Sequence, residues 1–124
     1  MTRIELDWRP DEFAPAGIIK LSEAVVELAH ALRAAGQRQR SSKDWVLSFN
    51  WCLSRRYRDP GADWVDEGPG VMAAASERSE IPPDRIEMID GLEFAVAIPK
   101  DICEAARERL IDVAEGGTTK LILR

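Results

Sequence analysis

The chain has no long uninterrupted run of apolar residues and only two cysteines among its 124 residues. No window approaches the roughly eighteen apolar residues that indicate a transmembrane helix. The amino terminus also lacks the apolar stretch and cleavage site of a signal peptide. We therefore expect a soluble, cytoplasmic protein with no membrane contact. In that compartment Cys52 and Cys103 should stay reduced, and two thiols are too few for a disulfide framework or an all-cysteine zinc site.

The usual signatures of catalysis and phosphate binding are also missing. His30 is the single histidine and lies off the apolar line of its predicted helix, so we expect it at the surface. Neither GxGxxG nor GxxxxGK[ST] occurs. Because a chain with 22 acidic residues contains close carboxylate pairs by chance, such pairs do not indicate acid–base catalysis. We expect no enzymatic activity.

An acidic loop is the remaining candidate for a metal site built from hard ligands. Its spacing does not match an EF-hand, so we interpret it as a solvated loop. The acidic residues concerned are Asp59, Asp63, Asp66 and Glu67.

The composition, 45% apolar and 31% charged, predicts a single packed domain. Residues 1–17 form an N-terminal extension that contains a period-two strand over residues 3–8. Residues 18–124 form the domain proper, with an excursion at 59–84 that is rich in proline and glycine. The pattern of elements predicts an α+β fold with compact mixed or antiparallel β-sheets and two main helices.

The first helix is the most regular element of the sequence. Ser22 is a suitable N-cap, and apolar residues then recur at helical spacing until Gly36, where we expect the helix to stop. Residues 44–52 follow as a strand whose odd positions form an aromatic-rich core face. Those positions are Trp45, Leu47, Phe49 and Trp51.

After this strand the predictions concern shorter segments. Residues 55–58 continue the sheet as an edge, and the alanine-rich residues 71–78 make two helical turns. Residues 85–98 form a hairpin whose sequence allows two registers. A two-residue turn at Asp90 and Gly91 places Glu87 opposite Phe94 on the apolar face. A three-residue loop avoids this, because it pairs Glu87 with Glu93, and is the predicted register.

Pro99 begins the second helix, in which Cys103 should be a small buried apolar residue. Ile102, Ala106 and Leu110 are expected on its inner face, although residues 110–113 also fit a strand because branched residues cluster there. The glycine pair at 116–117 leads into a last strand at 118–123.

The net charge of −5 hides a strong asymmetry. Residues 33–58 carry seven basic side chains against Asp44 alone, a local balance of +6 that leaves −11 for the rest. The negative total disfavours nucleic acid, and an acidic protein surface is the expected counterpart of the basic face. We therefore predict that a partner binds either the basic face, through Arg55, Arg56 and Arg58, or the excursion around Trp64. Pairing of the arginines with acidic residues of the same chain is the alternative. The positive field of the arginines would lower the pKa of Cys52 and favour its thiolate, but a structural or merely exposed thiol is the preferred interpretation of this residue.

The order of elements resembles the HesB-type fold of A-type iron–sulfur carrier proteins over about residues 18–124. The resemblance depends on Lys20-Leu21-Ser22 opening a helix, on a strand that runs into Cys52, and on the later segments 89–96 and 110–113. It implies that Cys52 takes the position of the first cluster ligand. The family's C-terminal cysteine pair has no counterpart, because no cysteine follows Cys103, and one thiolate cannot hold a cluster.

Two functions remain open at this stage. The first is a non-catalytic interaction or regulatory module that has lost the cluster ligands, needs no cofactor and binds a protein partner; a homo-oligomer is compatible with this function. The alternative is a divergent metal or iron–sulfur cluster carrier that uses Cys52 with ligands other than cysteine. The missing thiolates favour the module, because affinity for soft metals falls as thiolates are lost.

Overall fold

A computed structural model of the chain describes residues 8–9, 11–39, 44–58, 61–66, 68–114 and 120–124. Over these residues the fold is mixed α+β, as predicted. Its helices are α1 (Glu23–Gln39) and α2 (Lys100–Ala105). Its strands are β1 (Lys20–Leu21), β2 (Trp45–Cys52), β3 (Arg56–Tyr57), β4 (Val65–Asp66), β5 (Gly70–Glu77), β6 (Ile86–Ile89), β7 (Leu92–Ala97), β8 (Leu110–Val113) and β9 (Leu121–Leu123).

The main sheet has four strands in the order β5-β2-β7-β6. β2 pairs antiparallel with β5 and parallel with β7, and β6 pairs antiparallel with β7. A second sheet has the order β1-β8-β9, with β1 parallel and β9 antiparallel to β8. Contacts of α1 with β8 and of β5 with β9 connect these layers around one main apolar core.

The predicted strand at 44–52 is confirmed as β2, the central strand of the main sheet. Its odd positions Trp45, Leu47 and Phe49 are buried in the main core, and Trp51 is half-buried beside it. The even positions Val46 and Ser48 are buried as well, because the other face of the sheet is covered too. A central strand therefore contributes to two layers, where the sequence predicted one.

α1 begins as predicted and ends later than predicted. The Ser22 hydroxyl accepts a hydrogen bond from the Val25 N–H at 3.2 Å, as an N-cap does. The helix continues through Gly36 to Gln39, so the predicted stop is wrong. Gly36 is buried within the helix, and its unfavourable propensity of about 1 kcal/mol does not end an element that is held by packing.

The helical turns predicted at 71–78 are wrong, because this segment is strand β5 followed by a short 3₁₀ turn. β5 pairs with all eight residues of β2, from Trp45 opposite Glu77 to Cys52 opposite Gly70. The helix preference of alanine amounts to tenths of a kcal/mol per residue, whereas this ladder satisfies the backbone of a buried segment. The predicted excursion therefore contains a main-sheet strand.

The predicted register of the β6–β7 hairpin is wrong, because the turn has two residues and not three. Ile89 pairs with Leu92 and Glu87 with Phe94, so the turn has two residues, Asp90 at φ 49° and Gly91 at φ 78°. The Glu87 carboxylate is accommodated at the sheet edge, where it accepts a hydrogen bond from the Gly17 N–H at 3.0 Å. This bond comes from a distant segment, so the local pattern could not reveal it.

Glu87 has a raised pKa, since partial burial outweighs that hydrogen bond and the nearby Lys20. A carboxyl group on the core side of an edge strand is therefore tolerated at some electrostatic cost.

The C-terminal part follows the second of the two interpretations given for it. α2 begins after Pro99 and ends at Ala105, whereas Leu110 and Val113 belong to β8, so the helix does not extend to them. Cys103 is buried, as predicted. β9 covers the end of the predicted last strand.

The predicted strand at 3–8 lies outside the described residues except for Trp8, which belongs to no strand. Residues 11–17 are fastened to the domain near Pro99. The Ala14 N–H donates to the Ile98 carbonyl at 2.9 Å, and the Lys100 N–H donates to the Glu12 carbonyl at 2.8 Å. The Trp8 ring also meets the Phe13 ring edge-on, with centroids 5.3 Å apart.

Candidate functional site

β3 and β4 form a separate two-stranded ribbon, so the prediction that residues 55–58 continue the main sheet as an edge is wrong. Arg56 lies opposite Asp66 and Tyr57 opposite Val65. The pairing partner comes from the loop that returns to β5, because β2 ends at Cys52 and the chain turns away from the main sheet. We call residues 56–58 and 64–66 the Trp64 ribbon.

Two arginines stack on one tryptophan in the Trp64 ribbon. The guanidinium carbon of Arg56 lies 5.4 Å from the centroid of the Trp64 ring, and that of Arg58 lies 5.0 Å from it. Both distances are within the range of cation–π attraction. The ribbon therefore brings together three of the four residues predicted to bind a partner.

The same region exposes apolar surface. Trp64 and Val65 are each 54% exposed, and Leu53, which follows β2, is 82% exposed. Exposed apolar residues grouped beside charged ones are typical of interaction surfaces, whereas scattered ones need no explanation. Sequence reasoning missed Leu53 and Val65, because exposure depends on the ribbon leaving the main sheet.

Arg55 is placed differently from its two neighbours. Its Nε donates to the Gly68 carbonyl at 3.2 Å and its Nη1 to the Leu121 carbonyl at 2.9 Å. Its guanidinium also covers Gly70 so closely that a Cβ atom there would overlap it. Arg55 thus fastens the base of the ribbon to β9 and is half-buried, unlike the exposed Arg56 and Arg58.

Asp66 connects the two ends of the ribbon through its carboxylate. Its carboxylate accepts hydrogen bonds from the Ser54 hydroxyl at 2.6 Å and from the Gly68 N–H at 2.8 Å. The Ser54 hydrogen bond is the main reason that the pKa of Asp66 lies below its ordinary value, and Arg56 adds a smaller effect. Both carboxylate oxygens are therefore engaged within the chain.

Arg33, the first basic residue of the charged segment, makes its contacts with β2. Arg33 stacks on Trp45, 4.7 Å from the ring centroid, and donates to the Trp45 carbonyl at 2.8 Å. Arg40 and Lys43 lie outside the described residues. The cluster of charge in the sequence is thus divided in the fold between structural and exposed roles.

Cys52 ends β2 opposite Gly70 and is half-buried. The pKa of its thiol is raised, since burial disfavours the thiolate more strongly than Arg55 favours it. The predicted lowering of this pKa is therefore wrong. The positive charge is present, but desolvation outweighs it.

The candidate metal ligands named from the sequence lie in different parts of the fold or outside the described residues. Within the described ranges, no group of three or more His, Cys, Asp or Glu side chains is placed to hold a metal ion. Cys103 is buried in α2, and burial also raises the pKa of its thiol. Of the acidic loop, Asp59 and Glu67 lie outside the described residues, whereas Asp63 and Asp66 are exposed.

Comparison with protein-family models, with curated proteins and with solved structures finds no match to this chain. Neither helix in the described part of the chain is long and apolar enough to cross a membrane.

Proposed function

We propose that this protein is a non-catalytic interaction module that binds a protein partner through the Trp64 ribbon. The observation that carries the proposal is the exposed Trp64 ring with the Arg56 and Arg58 guanidinia stacked on it. Tryptophan and arginine are the residues that most often dominate binding energy at protein interfaces. Stacking restricts the arginine side chains before a partner arrives, so less conformational entropy is lost on binding.

We propose a HesB-like scaffold for the module. The order α1, β2, the β6–β7 hairpin, α2, β8 and β9, with two mixed sheets, supports the resemblance drawn from the sequence. Two observations favour the module over a carrier: the raised pKa of Cys52, and the absence among the described residues of a group of three or more His, Cys, Asp or Glu side chains placed to hold a metal ion.

An acidic protein surface is the proposed partner. Neither the Arg56 nor the Arg58 guanidinium has a carboxylate within ion-pair distance in the described part of the chain. Their positive charge is complementary to an acidic group of a partner, and the net charge of −5 disfavours a polyanion such as nucleic acid.

The test compares capture of proteins from the organism's own cell extract by four immobilised forms. These are the wild type, Arg56→Glu with Arg58→Glu, Trp64→Ala, and Met88→Ala as a control at an exposed residue of β6. We expect a protein that the wild type and the control retain and both ribbon variants lose, with thermal unfolding nearly unchanged. Arg55 is left intact because it holds the ribbon in place. Equal capture by all four forms would contradict the proposal.

A further inference from the structure

Among the described residues, no side-chain hydrogen bond of Arg56 or Arg58 is present beside their contact with Trp64. A cation–π contact with an aromatic ring uses none of the N–H donors of a guanidinium in hydrogen bonds, so those donors can still meet a carboxylate. Arg56 and Arg58 are both exposed and both stack on Trp64. The fork of donors on each guanidinium matches the two oxygens of a carboxylate. The ribbon thus presents two preoriented carboxylate receptors.

The spacing of these two receptors follows from the strand. Arg56 lies in β3 and Arg58 comes two residues later, and both reach the same Trp64 ring, so they lie on one face of the ribbon. Alternate residues of a strand are about 6.6–6.8 Å apart on the same face. An extended peptide has the same repeat. Two acidic residues separated by one residue in a peptide can therefore each meet one guanidinium.

The backbone of the ribbon permits such a peptide to lie alongside. Within the described residues, β3 pairs only with β4, so its other edge belongs to no ladder. A peptide strand added to an exposed edge gains main-chain hydrogen bonds, and its alternate side chains give specificity. Asp66, which lies opposite Arg56 in the ladder, accepts hydrogen bonds from Ser54 and Gly68 and interacts only weakly with Arg56.

We infer that the Trp64 ribbon binds an extended peptide segment in which two acidic residues are separated by one other residue. One of the acidic side chains pairs with Arg56 and the other pairs with Arg58. This inference rests on the proposed function and specifies the chemistry of the partner. The intervening residue of the peptide faces the opposite side of the ribbon, where Val65 is exposed, so an apolar or threonine residue suits it. Binding by two surface pairs is weak and declines with added salt.

The test uses two seven-residue peptides of identical composition with blocked ends, Thr-Val-Glu-Thr-Glu-Val-Thr and Thr-Val-Glu-Glu-Thr-Val-Thr. In an extended peptide the first places both glutamates on one face, whereas the second places them on opposite faces. Binding is followed by the NMR shift of the Trp64 indole N–H, which is identified by its loss in Trp64→Phe. We expect the alternating peptide to bind about fivefold more tightly, which corresponds to ~1 kcal/mol for one further pair.

The matched variant is Arg56→Gln with Arg58→Gln, which should lose the difference between the peptides. Equal binding of both peptides to the wild type would overturn the inference, as would inorganic phosphate at equal concentration displacing the alternating peptide. Concentration-dependent self-association of the wild type that is lost in Trp64→Ala would assign the ribbon to a second copy of this chain instead. If capture from extract depends on the ribbon while the peptides bind equally, the proposed function stands and only this inference fails.

Discussion

At the residue scale, Arg55, Arg56 and Arg58 show how neighbours in sequence take separate roles. Arg55 donates to two backbone carbonyls and covers Gly70, whereas Arg56 and Arg58 stack on an exposed ring. The difference arises because Arg55 precedes the ribbon and its side chain reaches the Leu121 carbonyl in β9, the last strand. Charge reversal at 55 would therefore perturb the fold, and reversal at 56 and 58 would perturb the surface.

Gly70→Ala tests the role of Arg55. The added Cβ overlaps the guanidinium, so Arg55 must shift, which disturbs its hydrogen bonds to the Gly68 and Leu121 carbonyls. We expect a loss of about 1–2 kcal/mol in the free energy of unfolding, measured by urea denaturation. Arg55→Ala should cost a similar amount, and the double variant little more than either alone, because both changes remove the same contacts. Additive costs would show that Gly70 and Arg55 act independently.

Glu93 gives a prediction for the effect of pH on stability. Arg78 donates two hydrogen bonds of 2.7 Å to its carboxylate and one of 2.8 Å to Asp44, which joins the ends of β2 and β5 to β7. The hydrogen bonds from Arg78 are the main reason that the pKa of Glu93 lies below its ordinary value near 4.5. A carboxyl group whose folded pKa is lowered stabilises the protein above the unfolded value, and this contribution is lost as pH falls through the folded value.

We therefore expect Glu93→Gln to lower the free energy of unfolding at pH 7 by about 1 kcal/mol, a modest value because the pair is partly exposed. The difference from the wild type should shrink as the pH falls below 4.5. Denaturation curves measured between pH 7 and pH 3 check this. Glu27→Gln, at an exposed position of α1, serves as the control and should follow the wild type throughout. A difference that does not depend on pH would contradict the role given to the carboxylate.

At the scale of elements, the β6–β7 hairpin depends on its two turn residues. Gly91 has a φ of 78°, where a β-branched side chain is strained, so Gly91→Val should destabilise the protein by at least about 1 kcal/mol. Asp90 has a φ of 49°, which asparagine also tolerates, so Asp90→Asn should change stability by less than about 0.5 kcal/mol. Thermal unfolding of both variants gives the comparison. Unchanged stability of Gly91→Val would show that the turn is not constrained in this way.

At the scale of the whole molecule, the module and the carrier make opposite predictions for iron and sulfide. Cys52 has a raised pKa and no cluster of further ligands in the described residues, so anaerobic reconstitution should give less than stoichiometric cluster by iron analysis and visible absorbance. Cys52→Ala should retain the fold, because its thiol makes only a weak contact of 3.9 Å with the Asn50 carbonyl. A stoichiometric cluster that is lost in Cys52→Ala would establish the carrier function instead.

The amino-acid sequence by itself determined the elements whose cause is local. The Ser22 cap and the apolar periodicity after it specify the start of α1, and the alternation of residues 44–52 specifies β2. The burial of Cys103 also follows from its place in the second helix. Sequence reasoning likewise selected Arg56, Arg58 and Trp64, which the fold brings into contact.

The tertiary structure alone decided the features that depend on distant partners. β5 is a strand because β2 offers it a ladder, although its alanines favour a helix. In the observed hairpin register, Glu87 accepts a hydrogen bond from Gly17 and Glu93 accepts hydrogen bonds from Arg78. Both donors lie outside the hairpin, so its own sequence does not reveal them. Arg55 was separated from the other arginines by a carbonyl 66 positions away, at Leu121. In each case a hydrogen-bond partner far along the chain outweighed a local preference of a few tenths of a kcal/mol to about 1 kcal/mol.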